Sequence, residues 1–215
     1  MLKRLLNGFV HAGARRISVI TGYQAECVEA FVGSLSGLKG VHIDFVRETV
    51  PRGNIGALSL LPRDGCRVLL CFADLVTTMD FGRMAQIHLE RQADVTLASH
   101  YEYYQVRLGE LRTDGMRVLE YSEKPKHRVL ICSGVAVFEP AVLDLIPGDG
   151  TIGISDLVQA ALAAGHTVTH WLHESFWMDV NTQESLLIAN RTLPRDSFRP
   201  EAIEPQGSLD DSRRM

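Results

Sequence analysis

Leu2, Leu5, Leu6, Phe9 and Val10 recur at the three-and-four spacing of one helix face, and Gly13 follows as a stop, so the pattern predicts an opening amphipathic helix. The period then shortens to that of a strand at Ile17-Ser18-Val19-Ile20. A turn at Thr21-Gly22-Tyr23, a helix from Glu26 to Val32 and a strand from Val41 to Val46 follow. The alternation continues with a short helix from Gly56 to Leu61, a strand from Arg67 to Ala73, a helix from Asp80 to Gln92 and a strand from Asp94 to Ser99. Strands alternating with helices predict an α/β fold: three layers, doubly wound, around a mostly parallel sheet.

From Tyr101 to Phe138 the helical period disappears. Gln105 to Leu108, Arg117 to Ser122 and Leu130 to Phe138 read as consecutive strands, with a turn at Thr113-Asp114-Gly115, and predict an antiparallel β insertion flanking the sheet. Helices return at Pro140 to Ile146 and Ser155 to Ala164. A strand pair covers Thr167 to His173 and Ser175 to Val180, and a last helix begins near Asn181, which has capping-box spacing to Glu184. Beyond Leu193 the period is lost among Pro, Ser, Asp and Arg, so residues 194–215 are expected to be a disordered tail.

A length of 215 residues fits one domain. No apolar run approaches the ~20 residues of a membrane span, and the N-terminus has neither a long apolar stretch nor an Ala-x-Ala-like cleavage site, so a cytoplasmic location is expected. A net charge of −4 gives no basic footprint for nucleic acid. The cysteines at 27, 66, 71 and 132 form no Cys-x-x-Cys pair and read as reduced, mostly buried thiols. His166, His170 and His173 would share a face only in a helix, and the stretch alternates as a strand, which argues against a metal cluster there.

The candidate chemistry is acidic. Asp74 ends the apolar run Leu70-Cys71-Phe72-Ala73, and Asp179 follows Phe176-Trp177-Met178. Carboxylates at strand ends sit where open α/β sheets bind ligands, and a pair of them is a ligand set for a hard cation such as Mg²⁺. Each alone reads equally as a helix cap or loop residue. Lys124, ahead of Pro125, reads as a solvated lysine before a turn, and Gly53 and Gly56 as loop glycines.

Taken in order, Thr21-Gly22-Tyr23, Glu48 to Leu58, Phe72-Ala73-Asp74-Leu75-Val76-Thr77, Glu123-Lys124-Pro125, Ser133 to Phe138 and Trp177-Met178-Asp179-Val180 resemble the sugar-1-phosphate nucleotidyltransferase family, in particular its mannose-1-phosphate guanylyltransferase-like members. The resemblance implies that residues 1–193 form one nucleotidyltransferase-like domain. It implies joining of a nucleoside triphosphate, GTP in the guanylyltransferases, to a sugar 1-phosphate with release of pyrophosphate. By it Asp74 and Asp179 would hold Mg²⁺, Lys124 would pair with the sugar phosphate, and Glu123 would bind sugar hydroxyls. Gly134 and Gly109 would let the sugar approach the backbone, and Glu48 and Gly53 would contact the base. A homo-oligomer is left open.

The chain departs from the family pattern at its start. The first strand and the Gly-rich, arginine-ended turn that wraps the triphosphate, on the order of 30 residues, are absent ahead of Met1, which reads as an internal methionine of a longer product. Loss of that strand would leave its two neighbours with unpaired backbone. Cys132 stands where relatives place an asparagine, and Asn181 where they place glycine. An inactive nucleotide or sugar-phosphate binding homologue is the first alternative. A metal-dependent glycosyltransferase is the second, although Asp74-Leu75-Val76 lacks the Asp-x-Asp such an enzyme would want.

Overall fold

The computed structural model describes residues 1–36, 38, 40–148 and 150–193, so the tail expected from 194 to 215 lies outside the described residues. Helix α1 (Leu2–His11) buries Leu5 and Leu6, and its Phe9 ring stacks on Phe81 at 4.7 Å between centroids. Ala12 to Arg15 lead directly into β1 (Arg16–Thr21), which runs parallel to β2 (His42–Arg47), with α2 (Ala25–Gly33) between them as a crossover. At the start of β1, Arg16 is tied to Asp44 at 2.6 Å and to Asp64 at 3.1 Å.

A 3-10 turn at Gly56–Leu60 precedes β3 (Val68–Cys71), β4 (Leu75–Thr77), α3 (Phe81–Glu90) and β5 (Val95–Gln105). The insertion is a hairpin of β6 (Gly109–Asp114) and β7 (Arg117–Glu123), from which the chain returns along β8 (Lys126–Phe138). Next come α4 (Pro140–Leu143), α5 (Ile154–Ala163), β9 (Val168–Leu172), β10 (Trp177–Asp179) and α6 (Gln183–Thr192). The central sheet has the order β3-β8-β5-β9, and β4 pairs with β10 apart from it.

The three-layer core follows from alternation along β8. Val135 and Val137 pack with Leu5, Met79, Phe81 and Met84 on one face. Ala136 and Phe138 pack with Val142, Leu157 and Ala161 on the other. At 0–3% exposure these side chains are removed from water almost completely, which makes this the principal source of stability.

The α/β class holds, but the sheet is mixed rather than mostly parallel. β1–β2 and β5–β9 are parallel, while β8 runs antiparallel to both β3 and β5. A strand that returns from a hairpin insertion must reverse direction, and side-chain periodicity carries no information on direction. The strand expected over Arg67 to Ala73 is β3, which ends at Cys71, and the separate β4 that follows was not expected, being too short at three residues to leave a periodic signal. Of the strand expected over Gln105 to Leu108 only Gln105 is in a strand, as the last residue of the eleven-residue β5, and the next strand, β6, begins at Gly109. The last helix is capped by Thr182, whose hydroxyl accepts the Ser185 N–H at 3.0 Å, because Asn181 is engaged with Asp179 instead. The cysteines are free, but Cys27, Cys66 and Cys132 are exposed rather than buried, since they fall on a helix surface, a loop and an outward strand position.

Among the described residues no strand pairing joins β1–β2 to the four-stranded sheet. Between β1 and β3 lies a cavity of about 720 Å³.

Candidate active site

Asp74 lies in the short link between β3 and β4, and its carbonyl accepts the Val180 N–H at 3.0 Å. In the β4–β10 register Asp179 stands opposite Leu75. The backbones of two aspartates more than a hundred positions apart in sequence are thus one residue step apart across an antiparallel pair. The Asp74 carboxylate has no hydrogen-bond or ion-pair partner among the described residues, while Asp179 Oδ2 accepts from Asn181 Nδ2 at 2.7 Å. Burial first, and the Asp74 charge second, push the neighbouring Cys71 thiol up to about 12.

Gly134 belongs to the same corner. It sits on β8 at φ 71°, its carbonyl accepts the Phe72 N–H at 3.1 Å, and a Cβ there would come within 3.0 Å of Phe72 and 3.2 Å of Leu75, the residues flanking the Asp74 link. Next to it, the Ser133 carbonyl accepts the Trp177 indole N–H at 2.7 Å, which ties β8 to β10.

Glu123, Lys124 and Gly109 form a second cluster at the base of the hairpin. Gly109 pairs with Glu123 in the β6–β7 register, and Tyr121 donates its hydroxyl to Glu123 Oε2 at 2.8 Å. The Tyr121 ring lies over Gly109, where any Cβ would overlap the phenol. Lys124 turns the chain at φ 47°, with its ammonium 3.9 Å from Glu123 and more than half exposed. Among the described residues no hydrogen bond or ion pair links this cluster to Asp74 or Asp179.

Glu48 and Gly53 form a third group at the end of β2. Glu48 Oε1 accepts the Arg52 N–H at 2.7 Å, and Gly53 (φ 77°) passes so close to Ile152 that a Cβ would overlap its carbonyl oxygen. Both border the cavity between β1 and β3.

One polar network was not legible in the sequence. The Ser133 hydroxyl lies 2.8 Å from His100 Nδ1 and 2.9 Å from His173 Nε2, with the Trp177 ring 4.4 Å from that of His100. His173 is buried, and burial, with His100 adding to it, lowers its pKa to about 4. His166 and His170 face Asp94 and Ser99 instead, so the three neighbouring histidines have separate partners. Apart from Glu102, 3.3 Å from its Nε2, the partners of His100 in this network are 33 and 73 positions away, so no local pattern marks it.

Asp74 and Asp179 could offer a metal two carboxylates at most, and no cluster of three or more His, Cys, Asp or Glu that could hold a metal occurs among the described residues. That suits Mg²⁺, which binds proteins through one or two carboxylates and completes its shell with water and phosphate oxygens.

The nucleotidyl transferase family model matches residues 1–196. The chain belongs to that family. It is 33% identical over 141 residues to the glucose-1-phosphate adenylyltransferase of Bacillus licheniformis, covering 60% of this chain and 37% of the relative. It is 25% identical over 216 residues to the mannose-1-phosphate guanyltransferase of Yarrowia lipolytica, covering 95% of this chain and 59% of the relative. It thus spans roughly a third to three fifths of these curated relatives. Among solved structures, HddC from Yersinia pseudotuberculosis superposes with a TM-score of 0.66 at 18% identity, over 89% of this chain and 84% of that one, which supports the fold. No helix among the described residues is long and apolar enough to cross a membrane.

Proposed function

We propose that this chain is the catalytic unit of a sugar-1-phosphate nucleotidyltransferase acting in the cytoplasm. An oxygen of the sugar 1-phosphate attacks the α-phosphorus of a nucleoside triphosphate, the bond between the α- and β-phosphates breaks, and pyrophosphate leaves. The observation that supports this reading is the β4–β10 pairing, which brings the backbones of Asp74 and Asp179 to neighbouring positions in a chain of the nucleotidyl transferase family.

Asp74 and Asp179 would hold Mg²⁺. When bound, the ion supplies neutralisation of charge on the transferring phosphoryl group. Lys124 is the point charge for the sugar phosphate, and Glu123 accepts hydrogen bonds from sugar hydroxyls. Gly109 and Gly134 keep the surface free of side chains where the sugar lies, and Glu48 and Gly53 serve the base. The departure at Cys132, which is exposed, leaves the choice of sugar to other groups; among the described residues His100 and Ser133 are near in the fold.

The test is a pyrophosphate-release screen across the common nucleoside triphosphates and sugar 1-phosphates. One combination is expected to turn over, and Asp74→Asn to slow it by about a hundredfold or more, because charge neutralisation at the phosphoryl group contributes several kcal/mol. If no combination releases pyrophosphate and no nucleotide raises the melting temperature in the presence of Mg²⁺, the reading fails. Stabilisation by nucleotide without turnover would favour the inactive binding homologue.

A further inference from the structure

Strand alternation puts Tyr121 and Glu123 of β7 on one face of the hairpin, with Leu111 and Gly109 of β6 opposite them in the register. The side chains of the other face have polar partners: Arg112 is ion-paired with Glu120 at 3.0 Å, and Glu110 with His127. On the Tyr121 face the apolar surface is left in water, with Leu111 53% and Tyr121 62% exposed.

The phenol is nevertheless held in place. Gly109 has no Cβ, and the Tyr121 ring takes that room, where any side chain would overlap it. Its hydroxyl donates to Glu123 Oε2 at 2.8 Å, and this bond, ahead of desolvation, pushes the phenol pKa up, so that it remains a donor at neutral pH. Glu123 Oε1, 3.9 Å from the Lys124 ammonium, is left to accept from a ligand. An aromatic ring over a glycine steadies a hairpin by itself. That role calls neither for a hydroxyl seated on a carboxylate nor for a lysine turned to φ 47° beside it. Within four positions the chain therefore offers an open ring, a carboxylate oxygen and an ammonium, in that order.

We propose that Tyr121 is a specificity-determining residue of the sugar subsite: the C–H face of a pyranose stacks on its ring, while its hydroxyl holds Glu123 for a sugar hydroxyl beside Lys124 and the 1-phosphate. Gly109 then makes room for the ring, and the sugar lies upon the ring. The ligand this order of groups selects is a cyclic sugar bearing a phosphate. An acyclic phosphate reaches Lys124 but leaves the ring uncovered. This rests on the sugar-phosphate role given to Glu123 and Lys124 above, but not on turnover.

The test is calorimetric titration of the full chain with glucose 1-phosphate, mannose 1-phosphate and glycerol 1-phosphate. The wild type is expected to bind at least one sugar 1-phosphate in preference to glycerol 1-phosphate. Tyr121→Ala should cut that preference by about tenfold, since the ring no longer covers apolar surface of the sugar, and Tyr121→Phe, which keeps the ring, by less. Equal weakening of sugar and glycerol phosphates, an unchanged preference, or no binding of either sugar 1-phosphate by the wild type would each overturn the proposal. So would weaker binding of a nucleoside triphosphate alone in Tyr121→Ala, which would assign the ring to the base. Pyrophosphate release separates this from the catalytic reading. Ring-dependent binding without release supports the Tyr121 subsite and counts against catalysis, whereas release with a sugar KM indifferent to Tyr121→Ala does the reverse.

Discussion

His173 is 5% exposed and holds Ser133 through Nε2, with its Nδ1 buried. The unfolded chain protonates this ring near pH 6.5, whereas the folded one does so only near 4. Between those values unfolding takes up a proton, so stability rises with pH from about 4 to about 6.5, is flat above, and is lost as pH falls. The shift corresponds to roughly 3 kcal/mol. Urea unfolding of the wild type should show most of that loss between pH 7 and 4.5, and His173→Gln should remove it; an equal slope in both would place the titration elsewhere. The acids at 74 and 179 were legible because each terminates an apolar run. The Ser133 network was not, because its members come from β5, β8 and the stretch after β9, and nothing local distinguishes a histidine that will be buried from one that will not.

At the scale of elements, the helix after β10 illustrates how a cap is chosen. Both Asn181 and Thr182 are good capping residues, and the structure uses Thr182 because the Asn181 amide is drawn to Asp179. Thr182→Ala is expected to cost about 1 kcal/mol, lowering the melting temperature by about 2–4 °C, with Asn181→Ala nearly silent. The reverse order would move the cap back one position. Helices α1, α3 and α5 were readable because each carries an apolar stripe that meets the core. β4 and the outer half of β5 were not: the first has three residues, and the second, from Tyr101 to Gln105, is largely exposed on both faces, so the pattern that marks a half-buried strand is absent.

For the whole molecule, the interruption between β1 and β3 divides the stability. β1, β2 and α2 rest on a small cluster of Leu6, Ile17 and Val32, whereas β8 and β5 sit between two larger ones. Native-state hydrogen exchange should therefore show Ile17 and Ile43 opening at least about tenfold more readily than Val95 and Val137. Uniform protection would mean that a single cooperative unit spans the interruption. The α/β class was legible from alternation alone, while the direction of β8 depended on long-range pairing that no window of sequence contains. The placement of the thiols has a consequence for how the protein ages in air. Cys27 and Cys132 meet oxidant at the surface, and Cys66 does so with its thiol pushed up by its hydrogen bond to Asp64 and, after that, by the Asp64 charge. Cys71, held protonated beside the acidic corner, reacts last, so oxidative damage will begin as links between molecules and reach the proposed catalytic corner only late.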